Sequence, residues 1–301
     1  MLVAPLLIAF LYLTAAKRSQ CPAGSGLIFY RKFDLVTDGP YTPQKLRMDI
    51  PNITMATGRQ SNLFAQNGAL RTKLPRGCVG TNQCSYQWKV GIDHTLEAVF
   101  SYSIKFETGF DFVKGGKLAG LCGKTCPTGG RDASNGFSAR NMWRANGRLV
   151  SYLYYHTKSD SFGNDIEWKN STTGEPITLP VGEWINLYFW VRLNSIGKND
   201  GLLLGYYNGE LAVNQTINWR RSDDVYIDSF YFSNFYGGKG KSWAPESDMY
   251  IDFNDMQVCA RDGFDWLKTL PPTPAITHRH TPSVDVYQPV VPEETPTYTS
   301  P

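Results

Sequence analysis

Between Ala98 and Phe106 the large side chains fall on every second position. Ala98, Phe100, Tyr102, Ile104 and Phe106 share one face, and Ser101, Ser103 and Lys105 share the other. Period two is the signature of a half-buried strand. Ile185, Leu187, Phe189, Val191 and Leu193 repeat it, with Asn186, Tyr188, Trp190 and Arg192 opposite. "LLLGYYNGELAV" places Asn208-Gly209 between two apolar runs, which is a hairpin signal. "VYIDSFYFSNFYGG" and "MYIDFNDMQVC" read as further strands, whereas helical periodicity is confined to "DGFDWLKTL" near Asp262. So many strands with turn signals between them predict an all-β fold, an antiparallel sandwich of jelly-roll type.

The two ends differ from the middle. Leu2 to Ala16 is apolar, uncharged and closes on small residues, so residues 1–16 read as a secretory signal peptide. No later segment is long and apolar enough to span a bilayer. Residues 271–301 are rich in Pro and Thr and read as a disordered tail. His278 and His280 fall there and read as solvated. The expected ordered domain is therefore 17–270. Six cysteines remain, Cys21, Cys78, Cys84, Cys122, Cys126 and Cys259. An even number in a secreted chain implies three disulfides. Cys78–Cys84 and Cys122–Cys126 would clip local loops and Cys21–Cys259 would join the ends, although spacing leaves the connectivity open. Repeated CxxC spacing is missing, so no metal site is expected. Sequons at Asn52, Asn170 and Asn214 are candidate glycosylation sites.

Net charge is +3, but it is unevenly spread. Lys114, Lys117, Lys124, Arg131, Arg140, Arg144 and Arg148 face only Asp132 within their stretch. Such a patch suits an anionic partner.

"GFSARNMWRANGRLVSYLYY", from Gly136 to Tyr155, is a hairpin with chemistry on alternate positions. Ser138 and Arg140 share a face, and so do Tyr152 and Tyr154. The loop decides whether those faces coincide. A two-residue Asn146-Gly147 turn pairs Arg140 with Leu153 and separates them. A three-residue loop, Ala145-Asn146-Gly147, pairs Arg140 with Tyr152 and Ser138 with Tyr154. It would be a type I turn with Gly147 left-handed in a bulge. Only the second register gathers a guanidinium, a hydroxyl and two phenols. Arg140 could then fork onto a carboxylate. A phenol beside cations would shift toward phenolate. The preceding "FVKGGKLAGLCGKTC" reads as a glycine-rich loop presenting Lys114 and Lys117. A lysine near other cations can serve as a base.

In order along the chain, "KGGKLAGL", "FSARNMWR", "LVSYLYY", "LNSIGKNDG" and "IDSFYFSNFYGG" resemble polysaccharide lyase family 14. The resemblance runs from about Tyr86 to Cys259. It implies a jelly roll with a groove over one sheet, and metal-free β-elimination of a uronic-acid polysaccharide. Carried over by motif, the essential lysine falls on Lys117, the Ser-x-Arg pair on Ser138 and Arg140, and the Tyr-x-Tyr pair on Tyr152 and Tyr154. Ala119 stands where the family pattern has proline, which bears on how Lys117 is placed. The resemblance favours mannuronate-rich alginate.

The chemistry of elimination suits these residues. A cation must neutralise the uronate carboxylate while a base takes the C5 proton and an acid protonates O4. Arg140 and Ser138 take the first task. Lys117, Tyr152 and Tyr154 share the other two, in an order the sequence leaves open. Lys114, Tyr188 and Trp190 are expected to help bind sugars. No cofactor, nucleic-acid partner or membrane partner is expected, and the chain reads as a secreted monomer. Three rivals remain: a hydrolase built on Glu107, Asp111 or Glu167, a carbohydrate-binding jelly roll without activity, and a lyase for another polyuronate such as glucuronan.

Overall fold

The alternating stretches become strands and stack as two antiparallel sheets. The computed structural model describes residue 21, residues 25–158 and residues 160–261. The expected leader, the tail and the helical stretch near Asp262 lie outside the described residues.

In chain order the strands are β1 (Gly26–Arg31), β2 (Gly39–Pro40), β3 (Ile53–Gly58), β4 (Leu63–Gln66), β5 (Ala69–Leu74) and β6 (Tyr86–Thr95). Next come β7 (Glu97–Phe106), β8 (Gly115–Lys124), β9 (Gly136–Arg144), β10 (Leu149–Tyr154), β11 (Asn164–Glu167) and β12 (Ile185–Arg192). The last five are β13 (Leu202–Tyr207), β14 (Glu210–Thr216), β15 (Ile227–Phe232), β16 (Phe235–Tyr236) and β17 (Met249–Arg261). One sheet runs β14-β13-β12-β7-β17-β5-β4-β2, with β1 also on β17. The other runs β11-β10-β9-β8-β15-β6-β3, with β16 also on β8. Long-range antiparallel pairing of this kind gives the jelly-roll sandwich that the alternation predicts. One α-helix is described, Pro43–Asp49, capped by Thr42, whose hydroxyl accepts from the Lys45 N–H. It was not foreseen, since about two turns leave little periodicity to read.

The core lies between the sheets. Phe100, Tyr102, Ile104 and Phe106 of β7 and Leu187, Phe189 and Val191 of β12 are all buried there. Each such side chain contributes about 1.5–3 kcal/mol relative to exposure. Phe137, Ala139, Leu149 and Leu153 supply the facing layer from β9 and β10. Among these apolar residues Asn141 donates to the Tyr102 hydroxyl and accepts from Ser151, so its buried amide is satisfied.

Three disulfides form, Cys21–Cys259, Cys78–Cys84 and Cys122–Cys126. The first joins the two ends of the described part of the chain, and the others clip local loops. The Asn208-Gly209 turn joins β13 to β14 with both residues at positive φ, 50° and 90°. Asn214 is exposed on edge strand β14, Asn52 is exposed, and Asn170 sits in a turn where its Oδ1 accepts from the Thr172 and Thr173 N–H groups.

One expectation is corrected. The glycine-rich stretch is not a loop, because Gly115–Lys124 is strand β8, inside the sheet between β9 and β15. Its glycines serve close packing. A Cβ on Gly116 would collide with the Trp143 ring, and one on Gly120 with the Ala139 carbonyl. The pairing of β8 with β9 shifts register between Lys117 and Gly120. At that bulge Leu118 and Ala119 both turn into the core, and Lys117 turns out. Ala119 is thus a buried strand residue, not a loose loop position.

Gly116→Ala should destabilise the protein by about 1–3 kcal/mol through overpacking against Trp143. Thermal unfolding should show a midpoint lowered by roughly 2–4 °C per kcal/mol. An unchanged midpoint would mean that the Trp143 ring gives way freely.

Candidate active site

The β9–β10 hairpin takes the odd register. Arg140 pairs with Tyr152 and Ser138 with Tyr154. The loop between them is Ala145–Gly147, as expected, but it is not a type I turn. Asn146 sits at φ 61°, ψ 23° and Gly147 at φ 76°, so two residues are left-handed. Asparagine tolerates that conformation. Gly147 is further constrained, since a Cβ there would lie 2.9 Å from the Phe112 ring and 3.0 Å from the Leu179 carbonyl.

With this register, alternate residues of β8, β9 and β10 face outward together. A groove of about 780 Å³ lies over them, lined by Lys117, Arg140, Met142, Tyr152, Tyr154 and Tyr231 among others. Among the described residues no carboxylate lines it. That argues against a two-carboxylate hydrolase. Glu107 accepts from the Tyr250 N–H, Asp111 accepts from the Val113 N–H, and Glu167 pairs with Arg148.

Arg140 is the most telling group. It is 2% exposed, yet no ion pair to it is found among the described residues. One terminal nitrogen donates to Ser233 Oγ at 3.2 Å, and its buried Nε has no hydrogen-bond partner. Its guanidinium carbon lies 5.6 Å from the Tyr231 ring centroid. Leaving a buried donor unpaired costs about 1–3 kcal/mol, and more when it is charged. A cation held this way beside an open groove is set for an incoming anion.

Lys117 lies beside it, 8% exposed, with Nζ 3.5 Å from the centre of the Tyr152 ring and 2.6 Å from Met142 Sδ. Burial pushes its ammonium well below the ordinary lysine range, and Arg140 and Arg144 push the same way; Asp165 opposes them. The ring face also favours the charged form, but desolvation of so buried an amine is the larger effect.

The two tyrosines stand edge to face, 5.7 Å apart at 80°. The Tyr152 oxygen accepts from the Gly163 N–H at 3.1 Å, and the Tyr154 oxygen from the Gly130 N–H at 2.9 Å. Burial, then the Tyr154 hydroxyl, pushes Tyr152 up to about 12. Arg140 and the Gly163 N–H pull it back only partly. The shift toward phenolate expected from nearby cations is therefore overturned by desolvation.

Ser138 is fully buried and does not line the groove. Its hydroxyl donates to the Pro127 carbonyl at 2.7 Å. It thereby holds the segment after the Cys122–Cys126 bridge, whose Thr128 and Gly129 form one wall. Tyr188 and Trp190 are misplaced as sugar platforms. They sit on β12 of the opposite sheet, with Trp190 fully buried against Val99, Leu204 and Cys259 and Tyr188 against Tyr206. Alternation shows that they point away from the core, but not which sheet bears the groove. Lys114 is also outside the groove, where Nζ reaches Ser242 Oγ at 3.0 Å.

The basic stretch separates into paired and unpaired members. Lys124 pairs with Asp224 at 2.5 Å, Arg144 forks onto Asp165 at 2.6 and 2.7 Å, and Arg148 meets Glu167 at 3.3 Å. Arg140, Lys117 and Arg131 face the groove without a described carboxylate partner, and the paired Arg144 lines it as well. Tyr231, Phe235 and Trp243 line it too and were missed. Tyr231 lies two residues from Ser233, the partner of Arg140, on "SFYFSNF", which was the available signal.

Comparison with known proteins agrees with this geometry. The family model Polysaccharide lyase 14 matches residues 65–256. Exolysin of Paramecium bursaria Chlorella virus 1 is 25% identical over 187 residues, which is 53% of this chain and 28% of that protein. This chain thus spans under a third of that relative's length. The fold is similar to that of the alginate lyase Aly36B, with TM-score 0.69 and 22% identity over 80% of this chain and 98% of that one. A variant of that protein has been solved with an alginate trisaccharide. It is also similar to the PL-14 alginate lyase of Aplysia kurodai, with TM-score 0.67 and 20% identity over 78% of this chain and 100% of that one. With the family model spanning most of the sandwich, groove strands included, this chain belongs to polysaccharide lyase family 14.

Proposed function

We propose that this chain is a secreted lyase that cleaves a uronic-acid polymer, mannuronate-rich alginate, by β-elimination. The observation that carries this reading is the buried Arg140 guanidinium, unpaired by any described carboxylate and open to a groove lined by none. A uronate carboxylate completes that site. Neutralising it lowers the cost of the negative charge that builds when the C5 proton leaves.

The displaced pKa values divide the remaining work. Lys117, pushed down, is the group able to accept a proton near neutral pH. Tyr152, pushed up to about 12, keeps its proton and is the donor. In the step, Lys117 Nζ takes the C5 proton and that electron pair forms the C4–C5 double bond. The C4–O4 bond breaks, and O4 takes the Tyr152 proton. The Gly163 N–H already aims at the phenol oxygen and steadies the phenolate. Proton return from Lys117 to Tyr152 then restores both groups. Ser138 supports the wall and does not touch the sugar.

Lys117 stands against Tyr152, so base and acid reach the sugar from one side. In mannuronate the C5 hydrogen and O4 lie on one face of the ring, and in guluronate on opposite faces. This favours mannuronate. Glucuronate shares the mannuronate relation at these carbons, which keeps glucuronan as the second polymer to test. The alginate oligosaccharide bound to Aly36B supports the choice of alginate.

The purified protein should produce the ultraviolet absorbance of unsaturated uronate on mannuronate-rich alginate, and much less on guluronate-rich alginate. Lys117→Ala should lower turnover about a hundred- to ten-thousand-fold with binding largely retained. Binding without turnover in the unaltered protein, on either alginate or glucuronan, would instead make it a carbohydrate-binding protein.

The pH profile gives a second check. Activity should rise as Lys117 loses its proton, with a midpoint below the usual lysine value of about 10.4. Arg144→Gln should move that limb to higher pH. It removes a cation that depresses Lys117 and frees Asp165, which raises it. A limb that stays in place would contradict the assignment of Lys117 as base.

A further inference from the structure

A second depression, of about 540 Å³, opens beside the groove. Lys114, Arg144, Asn146, Arg148, Asp165 and Thr178 are among the residues that line it. Arg144 lines both hollows, so they adjoin each other across its side chain. Its guanidinium carbon is 5.5 Å from the Tyr152 ring centroid on one side, and its fork onto Asp165 fixes it on the other. Arg144 follows Met142 by two residues on β9, which is about 7 Å along the sheet. Met142 is the residue paired with Lys117. The depression therefore begins beyond the sugar that reacts.

Its charge is positive, with three cations against Asp165 on its lining. The cations are not equally committed. Arg144 is held by Asp165, and Arg148 meets Glu167 at 3.3 Å with its side chain 46% exposed, so solvent weakens that pair. Lys114 bonds only a neutral hydroxyl, that of Ser242, and has no carboxylate partner among the described residues. Asn146 adds an amide at the hairpin tip, where its left-handed backbone places it on this rim.

We propose that this depression is an outlying subsite for a polyuronate, in which Lys114 and Arg148 receive a carboxylate of a sugar beyond the one being cleaved. The inference rests on the lyase reading above and adds the binding of a distant part of the same polymer. Arg144, locked on Asp165, is the fixed partition between the two hollows. A cation here contributes to holding long chains and nothing to a substrate too short to reach it. The interaction is exposed, so salt screens it.

The test is a double variant, Lys114→Gln with Arg148→Gln, compared with the unaltered protein on size-fractionated oligomannuronates and on polymer. The loss in kcat/KM on polymer should exceed the loss on the shortest cleaved oligomer by about fivefold or more. It should reside in KM and shrink as salt is added. An equal loss at every length, or no loss at any, would overturn the subsite. A thermal midpoint shared by the two proteins establishes that the variant is folded. Failure of the unaltered protein to cleave any length would overturn the lyase reading itself, and the subsite with it.

Discussion

The pairing of Arg140 with Tyr152 is the constraint on which the rest depends. Side chains on a strand alternate, so a slip of one residue would put Arg140 and the tyrosines on opposite faces of the sheet. The loop of left-handed Asn146 and Gly147 sets the odd count. From behind, Phe137, Ala139, Leu149 and Leu153 hold the apolar faces inward, and Asn141 with Ser151 anchors the polar exception. Outward-facing chemistry is thus specified by inward-facing packing. The bulge in β8 completes it, because it lets Leu118 and Ala119 both enter the core while Lys117 joins the groove.

Electrostatics then follow from what the groove lacks. Elsewhere the protein pairs its cations with Asp224, Asp165 and Glu167. Over β8, β9 and β10 it buries a lysine and an arginine that form no ion pair with a described carboxylate. Burial moves Lys117 down and Tyr152 up to about 12. Two groups displaced in opposite directions from their usual values form a base and an acid at one pH. Part of the stability lost by burying unpaired charge is regained when an anionic substrate arrives. That is a physical reason for a groove of this kind to select polyanions.

Much of this was legible in the sequence, and the gaps have particular causes. Alternation in Ala98–Phe106 and Ile185–Leu193 was enough for a β-sandwich, and the spacing of Ser138, Arg140, Tyr152 and Tyr154 was enough to pose the register question. Close cysteines paired as proximity suggests. The glycines of Gly115–Lys124 were misread as loop residues because nothing in one segment shows how tightly Trp143 and Ala139 press on it. Tyr188 and Trp190 were assigned to the groove because a period-two pattern is the same on either sheet. Ser138 looked like a substrate contact until the Pro127 carbonyl was seen to occupy it. Tyr231 and Trp243 come from far along the chain, and only the fold brings them to Arg140.

The central claim is that bond cleavage here is elimination promoted by Arg140, Lys117 and Tyr152. Its most direct test is mass spectrometry of the products formed from mannuronate-rich alginate in water enriched with heavy oxygen. The account predicts fragments with unsaturated ends, lighter by one water than saturated fragments and free of solvent oxygen at the broken linkage. Saturated fragments carrying heavy oxygen would show hydrolysis and contradict it.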